Sequence, residues 1–235
     1  MRLKEYLYTT DYDNNHFIDI NEKVNPLAIT PKKTVKAYKL FIRKGGSLFP
    51  LYVNAKDKIP IGKWIEADIG PLMKSGQVKS KLGGLAFRPG WHSGDMPIAT
   101  HIGGKYNVDT GKPDNSLKAP NYRPDNQVWA EVLVPADVNW QEEAERRAKK
   151  TKAGKMVSRT AHITDQIPKG GFYKYKTNSN MTGAWLISGA MKVIKILTDE
   201  QVKKINNKFG VADLPRLKEL QEKEKEKEKI LKYEI

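Results

Sequence analysis

The residues of this chain best placed to do chemistry lie in one short stretch, Leu85 to Gly104, which holds Arg88, Trp91, His92, Asp95 and His101. An imidazole titrates near neutrality without help, so two histidines across a turn can divide the work of acid and base. An arginine beside them offers a fork of donors that matches a phosphate or carboxylate. Trp91 offers a flat face for stacking. The plainer reading of the same pattern is half-buried packing for Trp91 and His92 and a surface position for His101.

The elements that must position these groups can be read from local composition. Leu85-Ala86-Phe87 is a short apolar run suited to a strand end. Pro89-Gly90 then interrupts any ladder, because proline lacks an amide donor and glycine accepts dihedrals that other residues avoid. Arg88 and His92 are therefore expected on either side of a constrained turn. Met96 to Ile102 suits a short helix or turn carrying His101.

The wider pattern predicts an α+β fold, with a mostly antiparallel central sheet and flanking helices. Strands are expected over 36–42, 48–53, 128–134, 172–177 and 185–197, with a further strand over 157–163 that contains His162. Pro50 marks the second as an edge or bulged strand. Helices are expected over 139–150, 199–208 and 214–231, the first polar nearly all round and projecting from the body with the basic run Arg146 to Lys152. Residues 70–84 and 105–127 read as loops, being rich in glycine, lysine and turn formers without periodicity. The domain plan is an arm at 1–34, one globular unit at 35–209 and a charged helical tail at 210–235.

Composition narrows the function. Forty-two basic against twenty-seven acidic residues give a net charge of +15, which makes nucleic acid or another phosphate-bearing ligand the expected partner. The absence of cysteine excludes disulfides, thiolate nucleophiles and cysteine-ligated metal sites. The Asp11 to Glu22 segment has carboxylates but holds His16 where a calcium loop needs glycine, so no metal is expected. No apolar run is long enough to cross a membrane, and the start of the chain lacks the apolar core of a signal peptide, so a cytosolic protein is expected. P-loop, dinucleotide-fold and zinc-protease motifs do not occur.

A second group of candidate ligand contacts lies late in the chain. Phe172-Tyr173-Lys174-Tyr175-Lys176-Thr177 alternates aromatic rings with lysines, and Trp185 opens the following apolar run. Tyr173, Tyr175, Lys176 and Trp185 would suit stacking on bases beside phosphate contacts. The same alternation also describes an ordinary edge strand guarded by lysine.

The series Ala37-Tyr38-Lys39-Leu40-Phe41, Ile61-Gly62-Lys63-Trp64, Arg88-Pro89-Gly90-Trp91-His92, Val128-Trp129-Ala130-Glu131 and Trp185 to Val193 resembles a domain of phages and bacterial mobile elements, of the large polyvalent protein type. Arg-Pro-Gly-Trp-His is its most distinctive motif, and the resemblance spans about 35–205. The order of elements also resembles small ADP-ribosyltransferase domains. That second resemblance implies NAD as substrate, an early-strand arginine, histidine or tyrosine holding the dinucleotide, and a late-strand glutamate that orients the acceptor. The late strand here has no acid at Trp185 or Ser188-Gly189, which leaves Glu131 as the replacement.

Three functions follow. One is an ADP-ribosyltransferase-like enzyme, in which Arg88 holds the pyrophosphate and Glu131 or Asp95 stabilises the charge developing on the ribose. Another is a non-catalytic nucleic-acid-binding module using Trp91, Tyr173 and Tyr175. The third is a metal-independent ribonuclease with His92 and His101 as base and acid, and Arg88 or Lys192 stabilising the phosphorane.

Overall fold

A computed structural model describes residues 30–148, 164, 166–177 and 180–233, without the side chains of 228 and 231–233. The expected arm up to 29 and the strand with His162 lie outside the described residues, as does the basic run beyond 148. In chain order the strands are β1 (Thr34–Lys44), β2 (Ser47–Phe49), β3 (Trp64–Glu66), β4 (Val78–Ser80), β5 (Gly83–Leu85), β6 (Trp91–Gly94), β7 (Tyr106–Asn107), β8 (Lys112–Pro113), β9 (Gln127–Pro135) and β10 (Val138–Asn139). Helix α1 (Gln141–Arg147) follows, then β11 (Gly171–Tyr175), β12 (Trp185–Ser188), β13 (Ala190–Ile196), α2 (Asp199–Asn207) and α3 (Leu217–Tyr233).

The main sheet runs β10-β11-β12-β6-β1-β9-β13-β3, with β2 paired to β1. Every pairing is antiparallel except β10 with β11. The fold is thus α+β with a mostly antiparallel sheet, and Trp129 and Trp185 belong to that one sheet.

The expected strand 185–197 is two strands broken at Gly189. Its first half pairs with β6 and its second with β9, while β1 lies between those two. One bent segment therefore spans β6, β1 and β9, and the sheet curls on itself. Glycine is required at the bend, because a Cβ at Gly189 would lie 2.0 Å from the Pro168 carbonyl oxygen. The second expected strand stops at Phe49, since Pro50 cannot donate to the ladder and the chain turns, with Asn54 at a φ of 50°. The stretches expected as loops contain the β4–β5 and β7–β8 hairpins.

Period-two alternation divides the sheet into two faces. Inside the curl, Ala37 and Phe41 of β1 pack with Val128, Ala130, Val132 and Val134 of β9 and with Leu186, Met191 and Val193. The outer face is covered in two patches. Leu40, Trp129, Leu197 and Val202 bury the inner side of α2, whose N-terminus carries a reciprocal cap between Thr198 and Gln201. Ala144 and Trp140 place α1 against Tyr173, Tyr175 and Ile187. Helix α1 is shorter than expected and lies on the sheet, so it does not project. Its Gln141 side-chain amide bonds both Lys174 N–H (2.8 Å) and Lys174 C=O (3.1 Å), which closes the free edge of β11.

The segment after Gly210 is tied to the body. Arg216 clasps Asp199 through two hydrogen bonds of 2.9 and 2.8 Å and donates to the carbonyls of Pro124 and Gln127. Gln221 reaches the Tyr106 hydroxyl at 2.8 Å.

Candidate functional site

Arg88 lies in the turn between β5 and β6. Gly90 adopts a φ of 127°, and a Cβ there would meet Ile187 Cγ2 at 2.4 Å, so Pro89-Gly90 presses onto β12 and reverses the chain tightly. The turn swings Arg88 over β11. Its guanidinium carbon stands 4.5 Å from the centre of the Tyr175 ring, and Nη1 donates to the Tyr175 hydroxyl. Arg88 Nε is buried without a hydrogen-bond partner. Tyr173, on the same face of β11, has its ring 6.3 Å from that of Tyr175. Burial raises both phenols above their usual range, and the positive charge of Arg88 works against that rise.

His92 belongs to the same neighbourhood. It is in register with Ile187, which is in register with Tyr173, so the three positions form one row on the outer face. His92 Nδ1 stands 3.1 Å from the Gly90 carbonyl oxygen. A carbonyl can only accept, so the proton sits on Nδ1 and Nε2 carries a lone pair. Burial, then Lys39 and Arg88, push the imidazole down to about 3. It is therefore neutral throughout the physiological range and presents an acceptor.

Lys39 is the other cation here, on the inner face of β1. The ladder between β1 and β6 is a single pair, Tyr38 with Gly94, and beyond it the His92 carbonyl accepts from Lys39 Nζ at 2.6 Å. The ammonium sits 5.7 Å from the Phe41 ring centre and 5.4 Å from that of Trp91, and burial lowers its pKa to about 8. Among the described residues no carboxylate pairs with Arg88 or Lys39.

Arg88, His92, Tyr173 and Tyr175 are thus brought together, and Trp91 lies on the opposite face, donating through Nε1 to the Ile65 carbonyl at 3.3 Å. His101 packs edge-on against Trp185 at 5.6 Å, in the field of Arg123 and Asp213. Burial lowers its pKa first, Arg123 adds to that, and Asp213 opposes it. The two histidines share no charged neighbour. Glu131 is held between Lys36 Nζ at 3.2 Å and Lys195 Nζ at 3.9 Å. Tyr175, Trp185, Gly94, Tyr38 and Glu131 follow one another in register across the outer face, so Glu131 shares a face with Arg88 but sits three strands beyond Trp185. Trp185 donates to Thr177 Oγ1 at 3.2 Å, and Lys176 follows the end of β11, partly exposed. Asp95 accepts from Ala184 N–H at 2.9 Å.

Two features escaped the sequence reading. Lys39 had a signal, since a lysine between Ala37 and Phe41 interrupts the apolar face of β1. The buried pair of Arg123 and Asp213 had none, because its partners come from separate loops. Asp213 accepts from Arg123 Nη2 at 2.7 Å and Nε at 3.2 Å, from Trp129 Nε1 at 2.7 Å and from Ala99 N–H at 3.0 Å. Arg146 and Arg147, which open the basic run at the end of α1, both bond Glu143. Among the described residues no three histidine or acidic side chains are grouped to hold a metal, and no helix is long and apolar enough to cross a membrane.

The fold and this geometry define an α+β protein with a cationic and aromatic cluster on the outer face of a curled sheet. Comparison with known proteins found no match: no family model, no curated protein and no solved structure aligns with the chain.

Proposed function

We propose that the protein binds nucleic acid through a phosphate contact at Arg88, without catalysing a reaction there. The observation that carries this reading is a guanidinium stacked on Tyr175, with a buried Nε that has no partner and with no carboxylate to pair with it among the described residues. An uncompensated cation on a partly exposed residue favours an anion, which would supply the missing counter-charge through charge-assisted hydrogen bonds. The net charge of +15 supports a polyanion over a small acid. His92, neutral and fixed by Gly90, fits the role of acceptor better than that of general acid or base.

A second reading is an ADP-ribosyltransferase-like enzyme of a phage or mobile element, acting on NAD. What favours it is the same arginine beside two tyrosines, which suits a dinucleotide pyrophosphate. Against it, Glu131 is engaged by Lys36 and Lys195, and Asp95 by the Ala184 amide. The ribonuclease reading needs His92 and His101 to act on one phosphodiester, and their separate surroundings do not favour that.

Fluorescence anisotropy with single-stranded oligonucleotides at low ionic strength tests the binding reading. Affinity that falls steeply with added salt is expected, and no binding at low salt would reject it. Nicotinamide release from NAD would instead favour the transferase.

A further inference from the structure

We propose that the strand bound at Arg88 is RNA rather than DNA, and that His92 recognises the ribose 2′-hydroxyl next to the bound phosphate. The inference rests on the nucleic-acid reading above and deepens it. Arg88 and His92 flank the Pro89-Gly90 turn, and His92 lies in register through Ile187 with Tyr173, whose ring stands 6.3 Å from the Tyr175 ring that Arg88 covers. The two groups offer complementary chemistry. Arg88 can only donate and seeks an anion. His92 can accept only at Nε2, because Nδ1–H is committed to the Gly90 carbonyl, and Nε2 makes no hydrogen bond to any described residue.

A strong anion contact beside an obligate acceptor calls for a ligand that carries a hydroxyl next to a phosphate. In a nucleic acid strand the 2′-hydroxyl is that donor, since the base edges lie farther from the backbone and deoxyribose has none. The acceptor is held rigidly. Lys39 fixes the His92 carbonyl, Gly90 fixes the ring through Nδ1, and Ile187 lies beside it in the row of the sheet. The imidazole is also neutral across the working pH range, so the acceptor is present at every physiological pH.

Strands of one base isolate the sugar. Binding of twenty-nucleotide adenine strands with ribose, deoxyribose or 2′-fluoro sugars is compared by anisotropy at constant salt. The wild-type protein should bind the ribose strand roughly fivefold more tightly than the deoxyribose strand, about the worth of one hydrogen bond. The 2′-fluoro strand, which keeps the RNA-like sugar shape but cannot donate, should bind like DNA. His92→Phe should bring the ratio of ribose to deoxyribose affinity to about one, and His92→Gln, which keeps an acceptor, should retain part of it. Arg88→Ala should weaken the ribose and deoxyribose strands alike. Equal wild-type affinity for ribose and deoxyribose, or a 2′-fluoro strand that binds like RNA, overturns this proposal while leaving the nucleic-acid reading standing. Failure of all three strands to bind at low salt overturns both. If His92→Phe does not fold, as judged by circular dichroism, the 2′-fluoro comparison on the wild-type protein decides alone.

Discussion

Two arginines on the outer side of the same sheet live under opposite conditions. Arg123 is 2% exposed, and all its donor groups are engaged: Nε and Nη2 on Asp213, Nη2 also on the Ala99 carbonyl, and Nη1 on the Ile102 carbonyl and on Gln127. Its counter-charge is itself bonded to Trp129 and Ala99. Arg88 is partly exposed, stacks on Tyr175, leaves Nε unpartnered and, among the described residues, has no acid paired with it. Removing two charges from water is tolerable when every donor and acceptor is satisfied, and the first arginine meets that condition. The second leaves one donor unsatisfied. The difference separates a residue that holds loops to a sheet from one whose charge is left uncompensated among the described residues, as the proposed phosphate contact requires.

Breaking the satisfied pair should have the largest effect. Arg123→Ala leaves the Asp213 carboxylate buried without its cation and should destabilise the fold by about 3–5 kcal/mol, read as a lowered denaturation midpoint. The double change Arg123→Met with Asp213→Leu should be much milder, because no charge is then stranded. If Arg123→Ala unfolds no more readily than wild type, the contrast between the arginines collapses. Arg88→Ala should reverse the pattern. It should cost only about 1 kcal/mol in stability, because relief of the buried, unpartnered Nε offsets much of the lost cation–ring contact and hydrogen bond to Tyr175, while weakening nucleic-acid binding by roughly 1.5–3 kcal/mol.

Smaller changes sharpen the comparison. Tyr175→Phe keeps the ring under Arg88 and removes the hydroxyl acceptor, so it should lower stability by about 1 kcal/mol and leave the arginine freer to meet an anion. Titration provides another handle. His92 has a folded pKa of about 3 against an ordinary value near 6.5, so the unfolded chain binds the extra proton. Its contribution to stability is present above about pH 6.5 and is lost as pH falls towards 3. The melting temperature of wild type should therefore drop more over that window than that of His92→Gln. Parallel curves for the two proteins would mean that His92 is not held neutral by its surroundings.

Much of the sheet was legible because its strands are written in period two. Val128, Ala130, Val132 and Val134 recur at alternate positions and all face the core. Helix α2, expected over 199–208, was legible for the same kind of local reason, since its cap of Thr198 and Gln201 is formed within one turn. The bend at Gly189 was not legible, since it depends on the Pro168 carbonyl approaching from a distant loop. Helix α1 read as projecting because its one buried small residue, Ala144, gives too weak a stripe to reveal the sheet beneath it. At the site, the Pro89-Gly90 turn told that Arg88 and His92 would lie near each other, and the alternation of β11 put Tyr173 and Tyr175 on one face. That Arg88 stacks on Tyr175 could not be read, as it requires the register of β6, β12 and β11. His101 and Glu131 went to other charged neighbours for the same reason: Asp213, Arg123 and Lys195 come from other parts of the chain.

On the proposed reading, Arg88 meets a phosphate and the protein does not need it to fold. The salt dependence of single-stranded RNA binding, measured side by side for wild type and Arg88→Ala with melting temperatures recorded on the same samples, tests it most directly. Loss of one phosphate contact should weaken binding and reduce the slope of log affinity against log salt by about one, with little change in melting temperature. An Arg88→Ala protein that melts like wild type and binds with the same affinity and the same slope would contradict the account.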